Sequence, residues 1–186
     1  MNYQVTDTLH LWCLTDPSTP AYVGELHTAR SVRGVSLRYA PEWLANGFAL
    51  SEDLPLIDEE FLPAQRDSAP GAIDDARPDR WGERVIRVLD KPPRLSLLDY
   101  LFYAGDERFG ALGVSVSGES YRPRRLGPLP DLGDVSAIAA LVGRILAGEP
   151  VPPAQRRLIA PGVTLGGARP KALIEMAGAQ WLVKFA

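Results

Sequence analysis

Residues 164 to 186 read TLGGARPKALIEMAGAQWLVKFA: a glycine pair, a lysine, two short apolar runs and a second lysine. Glycines let backbone N–H groups approach an anion closely, and a lysine mounted on a strand supplies a fixed positive charge. That combination is equipment for gripping a nucleotide phosphate. The chain has only three lysines, Lys91, Lys171 and Lys184, and the last two lie around this glycine turn.

The elements that must hold these groups are readable from the same residues. ALIEM and QWLVKF have strand composition and AGA is a short turn, so residues 171 to 185 should form a β-hairpin. In its second strand Trp181, Val183 and Phe185 face one way, Leu182 and Lys184 the other. GGARPK lacks the G-x-x-x-x-G-K-[ST] spacing of a Walker A loop, and also the G-x-G-x-x-G of ordinary protein kinases. The interval from the turn to Lys184 does resemble the kinase order of a glycine-rich loop followed by a lysine in a VAIK-like strand, here WLVK. The pattern alone leaves an ordinary hairpin with a solvated edge lysine as the alternative.

Upstream, TLHLWCL, AYVGELHT and GVSLRYA read as three strands, with DPSTP as turn chemistry between the first two. PEWLANG is a short helical turn with proline first and Gly47 past its end. Residues 49–72 read as loops with at most short strands. RPDRWGERVIRVLDK is an amphipathic helix, with Pro78 at its start, Asp79 in the first turn and Trp81, Val85, Val88 and Leu89 on one face. In SLLDYLFYAG, Ser96 caps, Asp99 completes a capping box and Gly105 ends the helix. GALGVSVSG is a strand, and YRPRRLGPLPDLG a linker. DVSAIAALVGRILAG is a helix from Asp134 to Gly148, and AQRRLIA a helical turn. Strands, then helices, then strands make an α+β fold.

At 186 residues, with 46% hydrophobic and 23% charged residues, the chain is ordinary for a globular protein. Cys13 is the only cysteine, so no internal disulfide forms, and within LHLWCL it reads as a small buried hydrophobe. His10 and His27, the only histidines, lack metal-ligand spacing. No signal sequence and no apolar run of about 18 residues is present, so a cytoplasmic location with no membrane association is expected. A net charge of −3 argues against direct nucleic-acid binding. The clusters Arg122, Arg124, Arg125 and Arg156, Arg157 read as solvated loop and helix-end charges.

With these segments joined, the sequence resembles the N-terminal part of a HipA-like serine/threonine kinase, the toxin of HipA–HipB toxin–antitoxin systems. The resemblance is carried, in order, by RYAPEWL (38–44), RPDRWGERVI (77–86), LDYLFYAGDERFGALGV (98–114), TLGGARPKALI (164–174) and WLVKF (181–185). It implies a small β-sheet or barrel-like N-terminal subdomain with packed helices over 1–130. Over 131–186 it implies connecting helices and the opening glycine-rich hairpin of a kinase-like lobe. It makes Gly166, Gly167 and Ala168 the phosphate-loop backbone and Lys184 the ATP-phosphate lysine, with Lys171 flanking the loop. Thr164 falls where family members autophosphorylate, although better-known members carry serine there. ATP and Mg2+ are the implied cofactors of the intact enzyme. A small DNA-binding HipB-like antitoxin is the implied partner, and a protein such as an aminoacyl-tRNA synthetase the implied substrate.

Phosphoryl transfer also needs an aspartate to orient the acceptor and groups to hold magnesium. Glu175 is the only acidic residue beyond position 149, and Asp74, Asp75 and Asp79 read as loop and helix-start charges. No catalytic residue is therefore assigned, and the chain is expected to be an inactive fragment that binds nucleotide weakly at best. Two alternatives stand beside it. One is an interaction module that binds an antitoxin or a separately encoded kinase lobe, for which Trp43 and Trp81 would be contacts if they are not core. The other is an unrelated anion- or RNA-binding protein resting on the arginine clusters.

Overall fold

The structure, a computed structural model, describes residues 5–108, 110–124, 127–161 and 167–186. The chain compacts into two units that are each discontinuous in sequence. The first comprises Met1–Arg77, Ser96–Phe102 and Gly110–Pro123; the second comprises Pro78–Leu95, Tyr103–Phe109 and Arg124–Ala186.

The first unit is built on β1 (Thr8–Cys13), β2 (Ala21–Ala29), β3 (Gly34–Tyr39), the two-residue β4 (Glu60–Phe61) and β5 (Leu112–Ser115). They form an antiparallel sheet in the order β4-β3-β2-β1-β5. The period-2 pattern of the sequence becomes its two faces. Leu9, Leu26 and Leu37 pair across three strands and are fully buried. Trp12 and Tyr39, buried with their polar atoms, are satisfied by neutral partners: Trp12 Nε1 donates to Ser115 Oγ at 2.9 Å and Tyr39 Oη to Leu54 O at 2.8 Å. Cys13 is buried, as its apolar surroundings predict.

Short helices complete this unit. Helix α1 (Pro41–Asn46) starts on its proline and buries Trp43, which stacks near Phe48. Helix α2 (Gly71–Asp75) is a single turn that starts at the end of the region read as loop and runs past it; it buries Ile73. The α4 helix (Leu97–Tyr103) has the expected capping box: Asp99 N donates to Ser96 Oγ at 3.1 Å and Ser96 N to Asp99 Oδ2 at 2.9 Å.

The second unit holds α3 (Arg80–Leu89), α5 (Val135–Ala147) and the hairpin β6 (Lys171–Met176) and β7 (Ala179–Lys184), with 3-10 turns at Leu132–Asp134 and Pro153–Leu158. Trp81 and Val85 of α3, Ile138, Leu141 and Ile145 of α5, Leu158, and Ala172 and Ile174 of β6 make one core. Two helix starts differ from the sequence reading. Helix α3 begins at Arg80, because Asp79 is the cap and not a first-turn residue: its side chain accepts from Gly82 N at 2.8 Å. The capping group ahead of α5 is Asp131, whose side chain accepts from Gly133 N and Asp134 N, since a 3-10 turn precedes the helix. Gly148 closes α5 in the left-handed conformation, as expected. No helix among the described residues is long and apolar enough to cross a membrane.

Candidate functional site

The hairpin is fixed by its turn. Ala177 (φ 53°) and Gly178 (φ 75°) both take positive φ, the requirement of a two-residue turn that matches strand twist. The resulting register sets Lys171 opposite Lys184, Ala172 opposite Val183 and Ile174 opposite Trp181. Cross-strand partners share a face. Ala172, Val183 and Ile174 therefore enter the core of this unit, while the two lysines start from the other face.

Their environments differ sharply. Lys184 is exposed and makes no ion pair among the described residues. Lys171 is 2% exposed and its Nζ is ion-paired with Asp79 Oδ2. Trp81 Nε1, from the first turn of α3, donates to Lys171 O at 2.8 Å. Both ends of Lys171 are thus held by the start of α3, and its ammonium does not lie free beside the turn.

The turn itself is fastened to the Lys184 end of the hairpin. Arg169 Nε donates to Phe185 O at 3.0 Å, and Phe185 N to Pro170 O at 2.9 Å. Gly167 has φ 94°, a conformation that needs glycine, and it is exposed together with Ala168. Gly166 and Thr164 lie outside the described residues. An exposed turn with a left-handed glycine, tied beside a strand-mounted ammonium, can present backbone N–H groups and a positive charge to an anion. It offers no general base. Glu175, the acid nearest in sequence, is exposed towards the opposite end of the hairpin, its N–H bonded to Pro130 O at 2.8 Å.

Asp79 is the functional residue that the sequence reading passed over. In the sequence it reads as a helix-start charge, yet its one carboxylate caps α3 and neutralises Lys171. The signal available was the RPDRW segment itself, since a cap two residues before a buried tryptophan places its second oxygen at the core boundary.

The arginine clusters are partly structural. Arg124 Nη2 reaches Asp90 Oδ1 at 3.1 Å, Arg156 is ion-paired with the same oxygen, and the Asp90 side chain is 4% exposed. Arg124 also lies over the Tyr103 ring at 4.5 Å. Burial lowers both guanidinium pKa values from their ordinary range, which leaves them cationic at neutral pH. Arg157 meets Asp134 at 3.5 Å on the surface, and Arg125 lies outside the described residues. Trp43 and Trp81 are 6% and 2% exposed, so neither is a surface contact.

Compared with known proteins, the chain matches the HipA N-terminal domain family over residues 19–115. That span takes in β2 to β5 and α1 to α4, and stops short of the hairpin. None of the curated proteins matches the chain. The family match covers just over half of the 186 residues and includes RYAPEWL, RPDRWGERVI and all of LDYLFYAGDERFGALGV; the chain belongs to the HipA N-terminal domain family.

Proposed function

We propose that this chain is the N-terminal portion of a HipA-like serine/threonine protein kinase and that it supplies part of the grip on ATP: the glycine-turn backbone and Lys184. The observation that carries the reading is an exposed Lys184, without an ion pair among the described residues, beside a left-handed glycine turn tied to the adjacent residue. Lys171 takes a different role from the one its sequence position implies: it anchors the turn to α3 and does not touch phosphate. When bound, ATP would provide the transferable phosphoryl group, and this chain's part is to bind and orient its phosphates. Among the described residues no three His, Cys, Asp or Glu side chains converge to hold a metal ion, so no magnesium ligand is assigned here. Family membership supports the toxin–antitoxin setting and a HipB-like partner.

The test uses an ATP acyl-phosphate, which transfers its acyl group to a lysine amine near the bound phosphates and releases ATP. Lys184 should be labelled and protected by excess ATP, while Lys91 and the buried Lys171 should not. Labelling that ATP does not suppress, or that falls equally on Lys91, overturns the reading. The chain alone, incubated with ATP and magnesium, should yield no phosphoprotein.

A second reading, an interaction module, is favoured by Trp181, which stands 52% exposed on β7. On that reading a partner chain co-purifies and Trp181→Ser releases it, while ATP protects no lysine.

A further inference from the structure

Between β1 and β2 the register shifts: Leu11 lies opposite Gly24 and Trp12 opposite Tyr22, so Val23 stands between them opposite no residue of β1. Such a bulge re-aims the side chains beyond it. Here it returns Tyr22 to the face shared by His10 and Glu25, which pair across the same two strands. Tyr22, Glu25 and Arg38 line an open pocket of about 240 Å³ together with Pro41 and Glu42, from the start of α1. A cross-strand pair of opposite charge would set Arg38 against Glu25, its neighbour in register. Both basic groups opposite Glu25 are engaged elsewhere. Arg38 Nη2 donates to Asp58 Oδ1 at 3.0 Å, and His10 Nδ1 lies 2.9 Å from Tyr22 Oη. Glu25 meets His27 Nε2 at 3.1 Å, a partner that is charged only when protonated. The Glu42 carboxylate makes no hydrogen bond or ion pair among the described residues. Burial first, then Glu25 and Glu42, pushes the Tyr22 phenol up to about 12, so both carboxylates act on the same phenol.

We infer that this pocket binds a guanidinium group on an aliphatic stem, carried by a free small molecule or by a polypeptide side chain. Two carboxylates face it, and the one cation in its wall, Arg38, is neutralised by Asp58. A planar guanidinium matches carboxylates through its fork of N–H donors and lies well against an aromatic face. Tyr22 supplies that face, and a cation over a tyrosine ring is attracted by the ring itself. The volume lies below the roughly 300 Å³ at which sites for drug-sized ligands begin, so it suits one group of side-chain size. An anion would meet Glu25 and Glu42 instead. Neither the hairpin nor the kinase reading enters this inference.

Titration of the isotope-labelled 186-residue chain with N-acetylarginine methylamide at low salt, followed by amide NMR spectra, tests it. The citrulline counterpart, of the same shape without the charge, is the control. The arginine probe should shift the amides of Tyr22, Glu25, Arg38 and Glu42. Citrulline should bind about tenfold more weakly, since charge-assisted bonds are the strong ones. Glu25→Gln with Glu42→Gln should weaken the arginine probe by about the same factor. Glu59→Gln, which removes an exposed acid outside the pocket, should leave the affinity within about twofold, because solvent and salt screen distant surface charges. The same spectra show whether each variant is folded. Butylguanidine keeps the stem and lacks the amide groups: binding as tight as the arginine probe identifies a free cation, and weaker binding identifies a polypeptide side chain. Equal binding of arginine and citrulline probes, no shift at the pocket amides, or an affinity untouched by the paired glutamate variant overturns the inference. Any of these results would leave the Lys184 labelling experiment standing, and failed labelling would leave this titration standing.

Discussion

The two units satisfy their buried polar groups differently: the first with hydroxyls and backbone, the second also with ion pairs. In the first, Trp12 with Ser115 and Tyr39 with Leu54 O are neutral pairs, and the charged groups next to buried atoms meet hydroxyls and backbone: Ser36 Oγ donates to Glu60 at 2.6 Å, and the buried Asp99 accepts from Ser96 N and Oγ. Its charged residues run across the other face of the sheet, where His10, Glu25, Arg38 and Glu60 occupy one row on four strands. In the second, charge is buried at both ends of α3: Asp79 with Lys171 at the start, and Asp90 with Arg124 and Arg156 just past the end. The first unit is specified by apolar pattern and sheet register. The second draws its elements from distant stretches of chain, and ion pairs with exacting geometry fix which stretches meet. Buried pairs add little net stability over an apolar replacement, but breaking one is costly, so they act as matching devices.

The largest effect should follow from breaking the Asp79–Lys171 pair. Asp79→Asn keeps an oxygen to cap α3 but removes the negative charge beside a buried ammonium, at a cost of about 4 kcal/mol. Lys171→Met should cost less, because Asp79 can still cap α3. The double variant should recover most of the Asp79→Asn loss. Urea unfolding gives the energies, and hydrogen exchange should report faster opening of α3 and β6 while β1 to β3 stay protected. Equal losses in all three variants would show that the pair has no matching role.

The counterpart in the first unit is steric. Gly24 sits in β2 opposite Tyr39, and a Cβ there would meet Arg38 O at 2.1 Å and Tyr39 Cα at 2.9 Å. Neither neighbour is a flexible side chain. Gly24→Ala should therefore cost about 3 kcal/mol, in the range of strain at special backbone positions. Its exchange signature should be the reverse of the Asp79 variants, with β2 and β3 opening and α3 protected. An unchanged melting temperature would mean that the β2–β3 register is not what holds this unit.

How far the sequence exposes this contrast depends on the range of the interaction. The strands β1 to β3 and the hairpin are legible because alternation and turn residues act within a few positions: GVSLRY, WLVK and the Ala177–Gly178 pair carry their own instructions. The capping box of α4 is legible for the same reason. The burial of Lys171 is not. A lysine at the start of a strand beside a glycine turn has the composition of an exposed anion ligand, and its partner lies 92 residues upstream. Composition likewise marks 121–133 as a linker, but does not reveal that Arg124 is tethered to Asp90 or that α3 joins a core completed by residues beyond 130. Of the candidate site, the glycine turn and Lys184 are readable; the residue that positions them, Asp79, emerges only when the fold closes.

The smallest expected effect tests whether the charged sheet face of the first unit contributes through titration. Tyr22 Oη and His10 Nδ1 lie 2.9 Å apart. Burial, with Glu25 and Glu42 nearby, pushes the Tyr22 phenol up to about 12 from an ordinary value of 10.0. Burial also lowers the His10 pKa below 6.5, with Glu25 opposing the shift. Above pH 10 the unfolded chain loses a proton that folded Tyr22 keeps, so the unfolded state binds fewer protons and stability falls as pH rises towards 12. Below pH 6.5 the unfolded chain takes up a proton that folded His10 resists, so stability falls as pH drops. Both groups are only half-buried, and solvent screening keeps each loss to a melting shift on the order of a few °C. Melting of the chain and of Tyr22→Phe between pH 9 and 11 isolates the alkaline limb, which the variant should flatten. An identical slope in both would assign the alkaline loss to a group other than Tyr22.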